Sequence, residues 1–362
     1  MQRVGQGARR FIYNSDSNNM FLYDERPMSP GDIEPYIDEI AQGDVTTLYY
    51  SPNFGMKVNY PSEVAEVIAP LPGDDTRRVD IDNVHHLIKQ GHDPLALIMH
   101  MASEKGLEFF VSFRLNEVHC VENPESPIVS DFWREHPEWH IGTPGDPLPD
   151  LYKEIMGPRV NPIVGSWLPG ALNFAVPQVR EQRLAELREL CERYTMDGLD
   201  LDFQRFPVYF PFGSEIENTG TMTSWVREVR EMTRETSAKR GRELLLSARV
   251  MARPEQNIAL GLDLEAWAEQ DLLDIVVVSH YLRNDFPLPI SEYRNMLPDD
   301  IPIYASIEFE RDPDVYRDIA RRLWADGVDG LMLFNFPAAR EGGRKPPFQL
   351  LNELGDPRKL LL

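Results

Sequence analysis

Cysteine is nearly absent from this chain, since its 362 residues include only Cys120 and Cys191. Two cysteines cannot build a disulfide framework, so we expect two buried or unreactive thiols. Long apolar runs are also missing: no stretch of about 18 apolar residues occurs, and the amino terminus has no apolar signal core. The sequence therefore predicts no membrane partner. It predicts a cytoplasmic location, or a secreted or periplasmic one after removal of a leader.

Positive charge is scarce as well. The chain has 37 Lys and Arg residues against 59 Asp and Glu residues, giving a formal net charge of −22. This excess of acidic residues argues against nucleic acid and anionic membrane surfaces as main partners, but it leaves neutral and basic substrates open. A Gly-x-Ser-x-Gly nucleophile elbow is also absent, so the sequence gives no indication of that class of serine hydrolase.

What the sequence does contain is one strongly patterned stretch, residues 196–207. Its apolar side chains at alternate positions are Leu199, Leu201 and Phe203. Its polar side chains at the intervening positions are Asp200, Asp202 and Gln204. Since a strand sends alternate side chains to opposite faces, this pattern predicts a strand with one apolar and one polar face. Buried carboxylates are costly unless paired, so we expect the strand to end near Gln204, with Asp202 pointing into a central cleft.

Seven further apolar runs have the length of strands, and we place them at residues 11–14, 45–51, 107–115, 244–250, 274–279, 301–307 and 330–336. Helical patterns, such as those over 179–194 and 313–325, separate most of them. Eight such units predict an α/β fold, a single (β/α)8 TIM barrel that spans residues 1–362. A doubly wound open sheet is the alternative, but the chain lacks a Gly-rich phosphate loop after the first strand.

Polar residues gather where the predicted strands end, and barrel enzymes bind substrates at the carboxyl ends of their strands. The residues predicted to bind substrate there are Asn14, Asp16, Tyr50, Arg114, Asn116, Arg205, Arg249, His280, Tyr281 and Asn335. A long insertion, residues 122–173, follows the third strand and is rich in aromatic residues. Loops of this length are usually functional or disordered, and the aromatic content favours an ordered wall of the cleft.

Residues 194–207 resemble the fourth-strand region of bacterial family-10-like glycosyl hydrolases. In that family a Tyr-x-x-Asp-Gly segment precedes a strand that ends in Asp and an aromatic residue, followed by Arg-x-Pro. Residues 111–116 and 174–180 are similar to two further segments of the family. The resemblance implies a TIM barrel that acts on, or at least binds, carbohydrate. A weaker likeness links residues 197–203 to the family 18 chitinase motif, but its catalytic Glu is replaced here by Gln204, which cannot donate a catalytic proton.

These observations lead us to predict a glycoside hydrolase that acts on an oligo- or polysaccharide and needs no cofactor. Hydrolysis requires two carboxyl groups that flank the glycosidic bond, and we predict Asp202 and Glu308 as this pair. Asp200 is expected to support Asp202 by hydrogen bonding or by raising its pKa through like charge, with direct catalysis as the alternative. The sequence leaves open which carboxyl group is the acid and whether the reaction retains or inverts configuration.

Other interpretations remain possible at this stage. Asp202 could form a structural ion pair with Arg114 or Arg205, and Glu308 could pair with Arg311. The whole chain could be a carbohydrate-binding barrel without hydrolytic activity. A metal-dependent carbohydrate deacetylase would need a cluster of His and Asp ligands; His136 and His140 lie four residues apart, but Pro137 disfavours a helix between them, so we predict no metal site.

Overall fold

The computed structural model describes residues 9–71, 78–158 and 160–361. Within these ranges eight parallel strands close into a barrel, in which each strand pairs with the next along the chain and the last pairs with the first. We number the barrel strands β1 (Phe11–Ser15), β2 (Thr47–Tyr50), β3 (Glu108–Arg114), β4 (Gly198–Asp202), β5 (Leu245–Met251), β6 (Ile275–Ser279), β7 (Ile303–Ile307) and β8 (Gly330–Leu333). The predicted TIM barrel is therefore confirmed, and all eight predicted strands are present.

Helices connect the strands and surround the barrel. In chain order they are α1 (Glu34–Ala41), α2 (Val79–Lys89), α3 (Pro94–Glu104), α4 (Asp131–Glu135), α5 (Asp150–Met156), α6 (Pro162–Trp167), α7 (Pro177–Arg193), α8 (Thr219–Arg240), α9 (Pro254–Ala259), α10 (Leu264–Glu269), α11 (Ile290–Met296) and α12 (Pro313–Ala325). The last of these has the predicted bounds because Asp312 caps its first turn and Pro313 occupies its first position. After β8 the chain continues in short 3₁₀ segments instead of a full helix.

The interior of the barrel is built in rows, because paired residues of neighbouring parallel strands lie side by side. The lowest of three rows from β3, β4 and β5 contains Phe110, Gly198 and Leu245; the middle row contains Ser112, Asp200 and Ser247; the upper row contains Arg114, Asp202 and Arg249. The rows thus change from apolar to polar to charged toward the carboxyl end. The predicted polar face of β4 is the one that lines the barrel interior.

Gly198 is required by this packing. A Cβ atom at this position would lie 2.0 Å from Cε1 of Phe110, whose ring fills the bottom of the barrel. Gly198 is the first residue of β4. Its role is to make room for an aromatic ring of the neighbouring strand.

The insertion, residues 122–173, packs on loops that follow the carboxyl ends of the strands. The side-chain amide of Asn116, just after β3, donates to the carbonyl oxygens of Leu172 (2.8 Å) and Val208 (2.5 Å). The ring of Trp167 meets the edge of His119 at a centroid distance of 5.3 Å. On the other side, Arg283 donates to the carbonyl oxygen of Ile155 at 2.9 Å. The insertion therefore lies at the carboxyl end of the barrel, and its role as the wall of a substrate cleft stays a prediction.

The structure describes both cysteines, and Cys120 is only partly buried. Cys120 and Cys191 are both free thiols, and Cys191 is fully buried. None of the helices in the described ranges is long and apolar enough to cross a membrane.

Candidate active site

A polar pocket of about 240 Å³ opens at the carboxyl end of the barrel. Its lining residues come from the loops after β1, β2, β3, β4 and β8: Asp16, Asn18, Asn53, Phe54, Gly55, Arg78, Arg114, His119, Ile128, Arg205, Asn335 and Glu341. Four of the predicted site residues are therefore brought together here, namely Asp16, Arg114, Arg205 and Asn335. The volume is below the roughly 300–1,000 Å³ of pockets that hold drug-sized ligands, so it suits one small unit such as a single sugar residue.

The two predicted catalytic carboxylates meet at one guanidinium group. Nη1 of Arg249 lies 3.3 Å from Oδ1 of Asp202, and Nη2 of Arg249 donates to Oε1 of Glu308 at 2.8 Å. Both carboxylates are 1% exposed. The ion-pair partners that the sequence suggested for them were wrong. Asp202 pairs with Arg249 instead of Arg114 or Arg205, and Glu308 pairs with Arg249 instead of Arg311. Arg114 is already occupied, because Asp16 and Glu117 both bind it.

Glu308 combines strong burial with incomplete bonding. Its Oε1 accepts hydrogen bonds from Arg249 and from the Ser306 hydroxyl (3.0 Å), whereas its Oε2 has no hydrogen-bond partner among the described residues. Burial raises the pKa of Glu308 above its usual value, although the charge of Arg249 opposes this shift. A raised pKa makes a carboxyl group a better candidate for a proton donor than an unperturbed one.

Asp200 lies one row below Asp202 and is fully buried. The hydroxyl groups of Ser112 and Ser247 each lie 2.6 Å from one of its two carboxyl oxygens. Burial, followed by the negative charge of Asp202, raises the pKa of Asp200 to about 7. The sequence led us to expect that Asp200 would raise the pKa of Asp202; in the structure the like charge acts on Asp200, the more deeply buried of the two.

Replacing Asp200 with Asn is expected to remove a specific pH dependence of stability. In the wild type, folded Asp200 keeps its proton up to about pH 7, whereas the unfolded residue loses it near the ordinary aspartate pKa of 3.8. The stabilisation is therefore complete below about pH 4 and is lost as the pH rises to about 7, by at most about 4 kcal/mol. Chemical denaturation from pH 4 to pH 8 measures this slope. The slope should become flatter in Asp200→Asn and stay unchanged in the control Asp299→Asn, at an exposed residue. A wild-type slope in Asp200→Asn would contradict the interpretation.

Gln204 has a structural role at the end of β4. Its amide nitrogen donates to the carbonyl oxygens of Val250 and Ser279 (2.8 Å), and its amide oxygen accepts from the Ser279 hydroxyl at 3.0 Å. This bonding joins the ends of β4, β5 and β6. It agrees with the inability of Gln204 to serve as the acid of a chitinase-type mechanism.

Several predicted site residues lie away from the pocket lining. The ring of Tyr50 belongs to the outer core between the barrel and the helices, and its hydroxyl is bonded by Asn59. Asn116 is fully buried and bonds to the backbone of the insertion and of the loop after β4. His280 is half-buried at the rim, where Nε2 lies 3.4 Å from the carbonyl oxygen of Pro287. These three side chains bond to other parts of the structure and do not line the pocket.

Two other predicted residues support the pocket from beneath. The side-chain oxygen of Asn14 accepts a hydrogen bond from the backbone N–H of Asn335 at 3.3 Å. Tyr281 is fully buried, and its hydroxyl has no hydrogen-bond partner among the described residues. Its ring lies beside that of Phe206, at a centroid distance of 6.4 Å, so Tyr281 packs next to the pocket residue Arg205.

The sequence analysis did not identify eight of the twelve lining residues, among them the titratable groups Arg78, His119 and Glu341. It also missed Glu117, which bonds to Arg114 at 3.2 Å and to Nδ1 of His119. Glu117 and His119 follow β3 directly, so their position was a usable signal. Glu341 lies in a 3₁₀ segment well after β8, and nothing in its local sequence indicates a site.

Asp16 and Glu341 form a second pair of carboxyl groups, and unlike Asp202 and Glu308 they line the pocket itself. Asn335 donates to Oδ2 of Asp16 at 2.7 Å, and Asn19 donates to Oε1 of Glu341 at 3.3 Å. Desolvation and the charge of Asp16 raise the pKa of Glu341. The pocket therefore presents its own combination of an Arg-bound carboxylate and a carboxyl group with a raised pKa.

Metal ligands do not converge in the part of the chain that the structure describes. No group of three or more His, Cys, Asp or Glu side chains there is arranged to hold a metal ion. His136 stacks on Trp139 and His140 stacks on Trp133, so both rings take part in aromatic packing within the insertion. The deacetylase alternative thus lacks the ligand set that it requires among these residues.

No protein-family model matches the chain, and no curated protein sequence matches it. Among solved structures it is similar to the PgaB (BpsB) glycoside hydrolase domain from Bordetella bronchiseptica, with 11% identity and a TM-score of 0.58 over 96% of this chain and 99% of that chain. The α-L-fucosidase isoenzyme 2 from Paenibacillus thiaminolyticus gives 13% identity and a TM-score of 0.54 over 95% of this chain and 48% of that chain. XgtA, an α-glucosyl transfer enzyme, gives 12% identity and a TM-score of 0.52 over 97% of this chain and 72% of that chain.

At these identities the comparisons demonstrate a shared fold. The three similar structures do not include a family-10-like protein by name, so that finer resemblance stays a prediction. The chain is a TIM barrel that has glycoside hydrolases among its structural neighbours.

Proposed function

We propose that this protein is a glycoside hydrolase whose catalytic carboxyl groups are Asp202 and Glu308. The observation that carries the proposal is the meeting of these two groups, from β4 and β7, at the guanidinium of Arg249. They lie at the carboxyl end of a TIM barrel, where barrel enzymes have their active sites. The names of the structural neighbours, a glycoside hydrolase domain and a fucosidase, add support at the level of the fold.

The proposed chemistry follows from the different surroundings of the two groups. Glu308 has a raised pKa and a free Oε2, so it is assigned as the acid that protonates the leaving oxygen. Asp202 accepts hydrogen bonds from Arg249 and, at 3.0 Å, from the backbone N–H of Gln204. It is assigned as the carboxylate that attacks the anomeric carbon or activates water. Because both groups are 1% exposed, substrate binding has to open the floor of the pocket.

A second candidate function is carbohydrate binding without hydrolysis. It is favoured by one specific observation: Arg249 bonds to both carboxylates, and neither of them lines the pocket. In this alternative Asp202, Arg249 and Glu308 are a structural ion-pair network, and the pocket residues alone bind the sugar.

A panel of polysaccharides and aryl glycosides tests the proposal. We expect release of reducing sugar or of the aryl group from at least one member, and calorimetric binding of the same sugar class. Binding without any release across the panel would favour the non-catalytic barrel. If neither product release nor sugar binding is observed, the assignment of a carbohydrate ligand would be contradicted.

A further inference from the structure

Arg205 is a buried cation at the pocket without an acidic partner. It is 7% exposed, it lines the pocket, and no carboxylate oxygen of the described residues lies within ion-pairing distance of its guanidinium group. Among the described residues its Nε atom has no hydrogen-bond partner. The charges of Glu117 and Glu341 interact with Arg205 only from beyond ion-pairing distance. Since burying a charge is costly, an anion bound directly to this guanidinium group would be stabilised.

The neighbours of Arg205 fix its position without neutralising it. Nη2 of Arg205 lies 2.9 Å from Nε2 of His119, and the ring of Phe206 lies 4.7 Å from the guanidinium carbon. A guanidinium group can only donate, so Nε2 of His119 has to accept. The other ring nitrogen of His119, Nδ1, faces Glu117.

The nearby acids are committed to other partners. Glu117 accepts from Arg114 at 3.2 Å and from the backbone N–H groups of Val118 (3.1 Å) and His119 (3.2 Å). Asp16 is bound by Arg114 and Asn335. Glu341, the third acid at the pocket, accepts from Asn19 at 3.3 Å. Since none of these carboxylates is within ion-pairing distance of Arg205 in the described residues, its remaining N–H groups are left for a ligand.

We infer that the pocket recognises an acidic sugar, a uronic acid residue, whose carboxylate binds Arg205. The inference rests on the proposed carbohydrate function and names the substrate class of the same site. A planar carboxylate matches the planar fork of a guanidinium group and can accept two parallel hydrogen bonds from it. The pocket also presents the amide groups of Asn18 and Asn335 and the carboxylate of Asp16, which are suited to sugar hydroxyl groups.

Because the protein carries a large negative charge, its attraction for an acidic sugar has to act at short range. A formal net charge of −22 repels a polyanion at a distance, so the attraction has to arise within the pocket. The site therefore fits one uronic acid residue, or a short oligosaccharide that carries one, in a pocket of about 240 Å³.

The experiment is calorimetric binding of the full-length protein to galacturonic or glucuronic acid disaccharides, compared with the methyl esters of the same sugars. The ester keeps the shape of the sugar but removes its charge. We expect the wild type to bind the acid about 10- to 100-fold more tightly than the ester, the range for a charge-assisted hydrogen-bonded pair. Arg205→Gln should abolish this preference, whereas Arg188→Gln, at an exposed residue of α7, should preserve it.

Melting temperatures establish that Arg205→Gln is folded, and the wild-type comparison of acid with ester stands on its own if it is not. Equal binding of acid and ester by the wild type would overturn the inference, while hydrolysis of neutral glycosides would still support the proposed function. Conversely, a preference for the acid without cleavage would support the inference and count against hydrolysis. A preference that survives in Arg205→Gln would also overturn the assignment of Arg205.

Discussion

Replacing Asp202 with Asn is expected to lower turnover on a confirmed substrate by at least about 100-fold. Asn keeps the size of the side chain but removes the negative charge that the proposed mechanism places at the anomeric carbon. A positioned acid or base contributes about 10²- to 10⁴-fold, and the lower limit of this range sets the expectation. Glu308→Gln should have a similar effect, because the amide cannot supply the proton. The measurement is kcat on a polysaccharide or aryl glycoside, with the substrate affinity determined separately.

The second carboxyl pair provides the matched comparison. Asp16→Asn and Glu341→Gln make the same chemical changes in the pocket lining. We expect them to weaken binding with a smaller effect on kcat, since Asp16 is assigned to hydroxyl groups of the sugar and Glu341 lines the same pocket. Near-normal turnover in both Asp202→Asn and Glu308→Gln, combined with a large loss in the pocket variants, would transfer the catalytic role to Asp16 and Glu341.

Arg249→Met is expected to destabilise the protein by about 3–5 kcal/mol, the cost of removing one partner from a buried ion pair. Met has a similar length and no charge, so it would leave Asp202 and Glu308 buried without their shared cation. The loss should be larger at pH 8 than at pH 5, because burial raises the pKa of Glu308 and its protonation at the lower pH relieves the repulsion between the two carboxyl groups. Chemical denaturation at the two pH values measures both effects.

A surface variant and a charge-neutral variant serve as controls for this prediction. Arg188→Met, at an exposed position on α7, should change stability by less than about 0.5 kcal/mol. Combining Arg249→Met with Asp202→Asn and Glu308→Gln should recover part of the lost stability, because the uncompensated charges are removed. A loss in Arg249→Met that is independent of pH would point to packing against Phe334, whose ring lies 3.8 Å from the guanidinium carbon, as the main contribution of Arg249.

The sequence was sufficient to predict the barrel fold and the face of β4 that lines the barrel interior. Eight apolar runs separated by helical patterns leave few alternatives, since strands buried on both faces require helices around them. The alternation from Leu199 to Gln204 determined which side chains enter the interior, because the period of a strand is two residues. The ends of the apolar runs also indicated the end of the barrel at which polar residues gather.

The partners of the polar residues depend on distances that local patterns do not contain. Asp202 and Arg249 are 47 positions apart in the sequence, and they meet because β4 and β5 pair in a register that places them side by side. Glu308 joins them from β7 through the closure of the barrel. Arg114 was an equally plausible partner by sequence, but Asp16 and Glu117 occupy it.

The sequence by itself thus determined the fold, the face of each patterned strand and the end of the barrel that carries the polar groups. Only the tertiary structure decided that Asp202 and Glu308 share Arg249 beneath the pocket, and that Glu341 joins Asp16 at its lining. The physical reason is that burial and ion pairing depend on side chains from separate β/α units. Their meeting is fixed by strand register and barrel closure, which no short stretch of sequence specifies.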